Sequence, residues 1–373
     1  MIEWLKHQKL FLLGGLFILA FLGFFTLTLK ATWVVENIKV KEKSSQEEIY
    51  KAFNKNGAPF SPVSLPQEEK NRLDILVVGM RGAGVGFGDF LTDTMMLVSI
   101  DRQTGQAAMI SIPRDLYISL PYNGKMKINE LYTIGYDKGG QKLAFGIVKT
   151  VVSQITGVYI DGMLVIDFEA FKKIIDIVGG VDIYLDKPFV EITQWQGVGG
   201  FRLPAGWNHL NGDQALFYAR SRFSTSDFDR ARRQQDLIIA LRKKVVSLGI
   251  LSNPVKIYNI LDAIGTHVKT DVTLDIPGAL ALANKIDYRS IHRLVLTPQN
   301  YLYHATAPNG AYILLPKKEN FSDIEQAVVN IFTENPLSSS VGDDVFYERS
   351  LNSGESLQNS TTTHKTSQAP KKE

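Results

Sequence analysis

The chain has 373 residues, and 45% of them are hydrophobic, which is enough to bury the core of one large domain or two ordinary ones. Its 41 basic and 38 acidic side chains give a formal net charge of +3, which excludes the overall basic field that supports non-specific binding to nucleic acid. Cysteine is absent, which excludes disulfides, thiol nucleophiles and cysteine-ligated metal sites.

The first predicted element is an apolar segment at residues 10–29, with the sequence LFLLGGLFILAFLGFFTLTL and no charged side chain. At about 1.5 Å per residue, its length matches the roughly 30 Å hydrocarbon core of a bilayer. A signal peptide would have a shorter apolar core followed by a cleavage site of small residues, whereas Lys30-Ala31-Thr32-Trp33 follows this segment. We therefore predict a transmembrane signal anchor that is not cleaved.

Lysine residues flank this anchor on both sides, so the positive-inside rule gives no clear orientation. Only residues 1–9 precede the anchor, whereas most of the chain follows it. This asymmetry favours a short cytoplasmic tail, a single pass through the cell membrane and an extracytoplasmic position for the rest of the chain.

The chain after the anchor divides into three parts by composition. Residues 30–71 are charged, with little apolar periodicity, and are predicted to form a stalk with one short helix. Residues 72–333 carry the apolar patterns of a folded domain. Residues 334–373 lack apolar content and are predicted to be a disordered polar tail.

Within residues 72–333, apolar runs of strand length alternate with segments of helical spacing. The predicted strands are Leu73–Gly79, Met95–Ile100, Ala107–Ile112, Met163–Ile166, Val181–Leu185 and Leu294–Thr297. The predicted helices are Gln141–Ile155, Phe168–Val178, Asp227–Leu248 and Ile276–Ile286. This alternation predicts an α/β fold in which helices cover both faces of a buried sheet.

A glycine-rich segment, GMRGAGVGFG at residues 79–88, follows the first predicted strand. It has no Gly-Lys-Ser/Thr of a P-loop, and a strand follows it, whereas a dinucleotide-binding loop opens a helix. Both a flexible connection and a loop beside a ligand remain open. Asp89 and Asp93 lie just after these glycines, where two carboxylates would serve either as Mg²⁺ ligands or as turn-capping groups.

Another candidate site lies after the predicted strand Ala107–Ile112. Pro113 ends this strand, which leaves Arg114 and Asp115 at the edge of the sheet. Because ligands bind at strand ends in α/β sheets, Arg114 is either a ligand contact or half of a local salt bridge.

The strongest local signal is RSRFSTSDFDRARRQQ, which starts at Arg220 and has five arginines in sixteen residues. Ser226 is a suitable N-cap for a helix that starts near Asp227. Helical spacing then places Arg230, Arg233 and Gln234 on one face of that helix.

Arg220 and Arg222 precede the predicted helix and would converge with Arg230 on its N-terminus. Guanidinium groups at a helix N-terminus form an anion site, because each can bind phosphate oxygens with two parallel hydrogen bonds. A solvated helix face is the alternative. Nucleic acid is disfavoured, because few aromatic residues are interleaved and the chain is predicted to be anchored in a membrane.

Other chemistry has little support in the sequence. There is no Gly-x-Ser-x-Gly or His-Glu-x-x-His motif, and we interpret His209 as a loop or core histidine. The apolar segments Val165–Val178 and Leu237–Leu251 would line a lipid groove or, more simply, pack in the core.

Taken in order, these motifs resemble the LytR-CpsA-Psr family of cell-envelope phosphotransferases. The resemblance covers residues 73–248 and rests on ILVVG, TDTMMLVSID, ISIPRD, KIN, DFEAFKKIIDIVGGVDI, LNGDQALFYARSR and SDFDRARRQQ. It implies a three-layer α/β/α sandwich with a central mixed sheet, preceded by one N-terminal transmembrane helix.

The resemblance also implies a transferase that moves a glycan phosphate from a polyprenyl-pyrophosphate carrier to a peptidoglycan-type acceptor, with Mg²⁺ as cofactor. By position, Asp93 would hold the metal, and Asp227 would contact the metal or orient an arginine. The positions that match the family's pyrophosphate-binding residues are Arg114, Arg220, Arg222, Arg230 and Gln234.

One position departs from the family pattern, because Arg81 stands where the family usually has a second aspartate. Either Asp89 supplies the missing carboxylate, or the metal is held differently, more weakly or not at all. This departure leaves open a non-catalytic or regulatory protein that binds lipid-linked pyrophosphate. A hydrolase that splits the same pyrophosphate is a further alternative.

Overall fold

The computed structural model describes residues 36–40, 43–54, 62–82, 90–120, 124–249, 260, 262–263, 265–272, 276–286 and 291–333. The predicted anchor at residues 10–29, the predicted tails at residues 1–9 and 334–373, part of the predicted stalk and Asp89 lie outside the described residues. Among the helices that the structure describes, none has both the length and the apolar character needed to span a bilayer.

Strands and helices are interspersed along the described part of the chain. The strands are β1 (Arg72–Met80), β2 (Thr92–Asp101), β3 (Ala107–Ser111), β4 (Tyr117–Ser119), β5 (Lys125–Lys127), β6 (Gly162–Asp167), β7 (Val181–Leu185), β8 (Phe189–Glu191), β9 (Phe201–Leu203), β10 (Gly206–Leu210), β11 (Val268–Thr270), β12 (Ile291–Val295), β13 (Leu302–Thr306) and β14 (Tyr312–Pro316). The helices are α1 (Gln46–Phe53), α2 (Leu131–Thr156), α3 (Phe168–Ile177), α4 (Gly212–Arg220), α5 (Asp227–Ser247), α6 (Ile276–Lys285) and α7 (Ser322–Val329).

Six of the described strands form a central sheet in the order β11-β6-β1-β2-β3-β12. The pairs β1–β6 and β3–β12 are parallel, whereas β1–β2, β2–β3 and β6–β11 are antiparallel. The predicted α/β fold with a central mixed sheet is therefore confirmed.

Helices lie against both faces of this sheet. In β2, Met95 and Leu97 pack in the core that α2 and α7 complete, whereas Met96 packs on the opposite face against Ile239 of α5. Ala170 of α3 packs against the outer strands β6 and β11 on a face of the same sheet. Because side chains alternate along a strand, one apolar run supplies both layers of the core.

One predicted strand, β7, does not belong to the central sheet. The sequence predicts Val181–Leu185 in the buried sheet, but β7 pairs with β10 in a separate two-stranded ribbon. Val181 and Ile183 pack there with Leu210 and Leu237 in a second core. An apolar run indicates that a strand is buried, but it does not specify which strand it pairs with.

Helix α4 is absent from the sequence-based prediction, although its N-terminal signal is present. The side chain of Asn211 accepts a hydrogen bond from the backbone N–H of Gln214 at 2.9 Å, and the side chain of Gln214 accepts one from the backbone N–H of Asn211 at 3.1 Å. This capping box starts a helix whose last residue is Arg220, so α4 positions one of the candidate arginines.

Gln235 joins α5 to the sheet. Its side chain is fully buried, and its Nε2 donates to Ser111 Oγ at 2.9 Å and to the carbonyl oxygens of Met109 and Leu294 at 3.3 Å. Its Oε1 accepts a hydrogen bond from Arg293 Nε at 3.0 Å. Because buried polar groups need hydrogen-bond partners, these bonds determine how α5 sits on β3 and β12.

We expect Gln235→Leu to lower the free energy of unfolding by about 2 to 4 kcal/mol, because it leaves buried polar groups without this partner. Gln103→Leu, in the exposed turn after β2, is the matched control and should change it by less than about 0.5 kcal/mol. Urea denaturation measures both values. Equal effects of the two substitutions would contradict a structural role for Gln235.

Candidate functional site

A cavity of about 520 Å³ lies between the central sheet and helices α3, α4 and α5. One face of α5 lines it, and along that face the residues change from Arg230 and Gln234 to Leu237 and Leu241. The cavity therefore has a charged end at the N-terminus of α5 and an apolar part beside the middle of the helix. The arginines that line it are Arg81, Arg114, Arg220, Arg222 and Arg230.

This cavity corrects the simpler interpretation of the two apolar segments as core. Val165 does pack in the core, but the next residue of β6, Ile166, lines the cavity together with Phe171 and Ile174 of α3. Side chains that share an apolar run thus divide between a packed core and an open cavity. The sequence does not contain that distinction, since both environments favour the same residue types.

Asp227, the first residue of α5, holds three guanidinium groups together. Its Oδ1 lies 2.9 Å from Arg230 Nη1, an ion pair without the angles of a hydrogen bond. Its Oδ2 lies 3.4 Å from both Arg114 Nη2 and Arg222 Nη1. The structure therefore brings Arg114, which is distant in the sequence, next to Arg222, Asp227 and Arg230, and all four were predicted as site residues.

Asp93 of β2 lies in the same cluster. Arg114 Nη1 donates a hydrogen bond to Asp93 Oδ1 at 2.7 Å, and Arg230 Nη2 donates one to the backbone oxygen of Asp93 at 3.2 Å. Burial opposes the charge of Arg114, but Asp227 and Asp93 outweigh burial and raise the pKa of Arg114. Burial lowers the pKa of Arg230 to about 10, although the charge of Asp227 opposes this change.

The start of α5 follows the sequence-based prediction. Ser226 is the N-cap, and its Oγ accepts a hydrogen bond from the backbone N–H of Asp229 at 3.0 Å. The helix begins at Asp227, as expected. Two turns later, Gln234 lines the cavity and donates a hydrogen bond to the carbonyl oxygen of Ala219 at 3.1 Å, which links α5 to the end of α4.

Arg220 is held by aromatic rings. Its Cζ lies 4.4 Å from the ring centroid of Phe168 and 5.1 Å from that of Trp195. Burial lowers the pKa of Arg220, and the positive charge of Arg81 lowers it further. Two guanidinium groups that disfavour each other's charge at the wall of a cavity create a place where an anion is stabilised.

Two residues of this site were missed by sequence reasoning. Gln194 Nε2 donates to the carbonyl oxygen of Arg220 at 3.0 Å, and the backbone N–H of Arg222 donates to Gln194 Oε1 at 2.9 Å. Trp195 Nε1 donates to Ser221 Oγ at 2.9 Å. These bonds position the backbone that carries both arginines. They come from a loop between β8 and β9, and no local motif in the sequence marks such tertiary contacts.

The prediction that Arg233 faces the same way as Arg230 and Gln234 is wrong. Its Nε donates to the carbonyl oxygen of Tyr218 at 3.1 Å, and its Nη1 donates to Thr225 Oγ1 at 3.2 Å. Its Nη2 donates to the carbonyl oxygen of Ser221. Arg233 is buried and does not line the cavity, because the segment between α4 and α5 folds over it. It is therefore a structural residue.

The carboxylates allow a test of the implied Mg²⁺ site. Asp89 lies outside the described residues, and the part of the chain that is described contains no group of three or more side chains suited to hold a metal ion. Asp93 and Asp227 have 28% and 26% of their side chains exposed and both contact Arg114. Mg²⁺ is commonly held by one or two carboxylates plus phosphate, so Asp93 has the chemistry of a Mg²⁺ ligand, whereas both oxygens of Asp227 are paired with arginines.

The fold and the site together define a mixed α/β protein in which an apolar cavity ends at a cluster of arginines suited to phosphate groups. The chain belongs to the LytR_cpsA_psr family, whose sequence profile matches residues 26–329.

Individual relatives support the family and the fold. The polyisoprenyl-teichoic acid–peptidoglycan teichoic acid transferase TagU of Oceanobacillus iheyensis is 33% identical over 212 residues, which are 56% of this chain and 61% of that protein. The match thus spans less than two thirds of that relative. TagU of Enterococcus faecalis is 27% identical over 290 residues, 76% of this chain and 85% of that protein. The crystal structure of B. subtilis TagV superposes with a TM-score of 0.55 at 27% identity and covers 72% of this chain and 100% of that chain.

Arg222 and Arg233 allow a matched test of function against stability. We expect Arg233→Gln to lower the free energy of unfolding by about 3 kcal/mol, because it removes hydrogen bonds from buried carbonyl groups. We expect Arg222→Gln to change it by less than about 1 kcal/mol, because this side chain is partly exposed, but to weaken binding of inorganic pyrophosphate about tenfold or more. Urea denaturation and calorimetric titration measure the two properties. If Arg233→Gln loses pyrophosphate binding and Arg222→Gln keeps it, the roles assigned to Arg222 and Arg233 are wrong.

Proposed function

We propose that this protein is a membrane-anchored phosphotransferase that moves a glycan phosphate from a polyprenyl-pyrophosphate carrier to a peptidoglycan-type acceptor of the cell wall. The observation that carries the proposal is the cavity that runs from apolar side chains to a cluster of arginines. A polyprenyl pyrophosphate has the same two parts, an apolar chain and a compact group of negative charge. The predicted anchor at residues 10–29 would keep the N-terminus inside and hold the extracytoplasmic domain beside this lipid.

The apolar part of the cavity would bind the isoprenoid chain. Phe171 and Ile174 of α3 line this part of the cavity together with Leu237 and Leu241 of α5. Removing apolar surface from water contributes roughly 25 cal/mol per Å², so even a few isoprene units would supply substantial binding energy. The chain would thereby hold the pyrophosphate at the charged end.

The arginines would bind the pyrophosphate and stabilise the transition state. Phosphoryl transfer depends mainly on positioning and on stabilising charge on the transferred and leaving oxygens, which guanidinium groups provide without a covalent intermediate. Asp227 would orient three of these arginines, and Gln234 would support the phosphates from α5. The residues assigned to the pyrophosphate are Arg114, Arg220, Arg222, Arg230 and Gln234.

Asp93 would hold a Mg²⁺ ion together with phosphate oxygens of the substrate, and the ion would supply further charge neutralisation there. Asp89 would add a second carboxylate from the segment that precedes β2. Arg81 contributes positive charge to the same cavity, at the position where the family resemblance implies an aspartate.

In the proposed step, a hydroxyl oxygen of the acceptor forms a bond to the phosphorus that carries the glycan. The bond from this phosphorus to the bridging oxygen of the pyrophosphate breaks, and its electron pair leaves with polyprenyl phosphate. The hydroxyl proton passes to water. The names of the TagU relatives, which describe a polyisoprenyl-linked teichoic acid and peptidoglycan, support a carrier-linked glycopolymer as donor and peptidoglycan as acceptor.

The central test is a transfer assay with the full-length protein in lipid nanodiscs, a polyprenyl-pyrophosphate glycan, Mg²⁺ and peptidoglycan. We expect glycan phosphate on the peptidoglycan and release of polyprenyl phosphate. Arg220→Ala should lower this rate about 100-fold, roughly 2.7 kcal/mol of transition-state stabilisation. Arg202→Ala, at an exposed position of β9, is the control and should keep the wild-type rate.

Two outcomes of this assay would contradict the proposal. Release of the glycan phosphate into water without transfer would indicate a hydrolase. Tight binding of the lipid without turnover would indicate a non-catalytic or regulatory protein.

The metal assignment has a separate test. Asp93→Asn is expected to abolish the stimulation of transfer by Mg²⁺, because it removes the carboxylate that would hold the ion, and Asp89→Asn is expected to weaken it. Asp213→Asn, on the exposed surface of α4, is the control and should leave the titration unchanged. The measurement is the rate of transfer against Mg²⁺ concentration. If the Mg²⁺ titration of Asp93→Asn is unchanged, Asp93 is not a Mg²⁺ ligand. If that of Asp89→Asn is unchanged, Asp89 does not supply the second carboxylate.

A further inference from the structure

A second cavity, of about 330 Å³, adjoins the first. The two cavities share Asp93, Thr94, Arg114, Arg230 and Gln234 in their walls. The first extends over β6, β1 and β2, whereas the second is lined by ends of β2, β3 and β12 and by the β13–β14 hairpin. Since these strands are adjacent in the sheet, the shared residues lie between the two cavities.

The β13–β14 hairpin is docked on the segment that carries Arg114. The backbone N–H of Leu314 donates a hydrogen bond to the carbonyl oxygen of Asp115 at 2.9 Å, and Leu314 forms a parallel bridge with Leu116. Leu302 and Leu314 are fully buried against the domain. The hairpin is therefore held in a fixed position relative to the arginine cluster.

His304 and Tyr312 share the inward face of this hairpin. They are two residues from Leu302 and Leu314 respectively, and residues two apart on a strand point to the same side. Both line the second cavity, and His304 Nδ1 lies 2.7 Å from the hydroxyl oxygen of Tyr312. Tyr303 is on the opposite face, lines neither cavity and has the same exposure as Tyr312, 45%.

The chemistry of the second cavity differs from that of the first. Burial and the negative charges of Asp115 and Asp227 raise the pKa of Tyr312, so its hydroxyl stays neutral. Carboxylates and hydroxyls accept hydrogen bonds from a ligand that is rich in O–H groups, and an aromatic ring offers a flat apolar surface. The polar residues that line the second cavity but not the first are Ser111, Asp115, Ser226, Asp227, His304 and Tyr312.

The position of the second cavity suits an attacking group. In phosphoryl transfer the attacking and leaving oxygens lie roughly in line through the phosphorus. If polyprenyl phosphate leaves towards the first cavity, the acceptor hydroxyl must approach from the opposite side of the shared residues. The second cavity opens on that side.

We propose that the second cavity is the acceptor site, in which Tyr312 packs against a sugar of the acceptor glycan and His304 positions Tyr312 through their hydrogen bond. The assignment rests on the proposed function, since it assumes that the first cavity holds the lipid carrier. It identifies the acceptor as a neutral, hydroxyl-rich sugar at the point of attack and makes Tyr312 a determinant of acceptor affinity.

The test uses the full-length protein in nanodiscs and a soluble, uncross-linked peptidoglycan glycan strand as the probe. We expect Tyr312→Ala to raise KM for the glycan strand about tenfold, while KM for the lipid donor and kcat at saturating acceptor change less than about twofold. Tyr312→Phe keeps the ring and should restore KM to within about threefold of wild type. Tyr303→Ala is the matched control and should leave all three constants unchanged.

Direct binding of the same glycan strand, measured by calorimetry, separates this proposal from the transferase assignment. Binding that Tyr312→Ala abolishes and Tyr303→Ala retains supports an acceptor site, even if no transfer is detected. Three results would overturn it: no binding to the wild-type protein, equal effects of Tyr312→Ala and Tyr303→Ala, or a rise in the donor KM alone in Tyr312→Ala. The last result would place the donor glycan in this cavity. Matching urea midpoints of the variants establish that each is folded.

Discussion

The carboxylate of Asp227 holds three guanidinium groups in one place, and the candidate site depends on this charge balance. Two like charges at 4 Å repel by about 1 kcal/mol in water and about 4 kcal/mol near a protein surface. Asp227, Asp93 and Asp115 offset the repulsion among Arg114, Arg222 and Arg230, whereas Arg81 and Arg220 add two further positive charges to the wall of the same cavity. An anion bound there would stabilise the charges of Arg81 and Arg220, which disfavour each other. The proposed binding of pyrophosphate rests on this arrangement of charges.

The surrounding structure holds these side chains by contacts that do not themselves face the cavity. Gln235 joins α5 to β3 and β12, Arg233 ties α5 to the preceding segment, and Gln194 fixes the backbone around Arg220. Arg233 and Arg220 belong to one arginine-rich stretch, but Arg233 stabilises the fold and Arg220 lines the cavity. The guanidinium of Arg233 is satisfied by carbonyl oxygens, whereas that of Arg220 rests on aromatic rings at the cavity wall.

Much of the fold was predictable from the sequence, because strand-length apolar runs and a Ser226 N-cap are local signals with local causes. The clustering of Asp93, Arg114 and Asp227 could be predicted only through the resemblance to the family. Local sequence patterns do not show it, because these residues are far apart in the chain. The sequence left open whether the apolar segments line a groove or pack in the core, because side chains such as Ile166 and Leu237 suit both environments. The role of Arg233 was missed, because helical spacing assigns a face but does not show what folds over it. The second cavity depends on a hairpin docked through backbone bonds, for which the sequence has no specific signal.

The most direct measurement is a crystal structure of the full-length protein with polyprenyl pyrophosphate bound. We expect an isoprenoid chain between the sheet and helices α3 and α5, with its phosphate oxygens within hydrogen-bonding distance of Arg114, Arg220 and Arg222. A lipid that binds elsewhere on the surface, or phosphates that contact none of these arginines, would contradict the proposed role of the cavity.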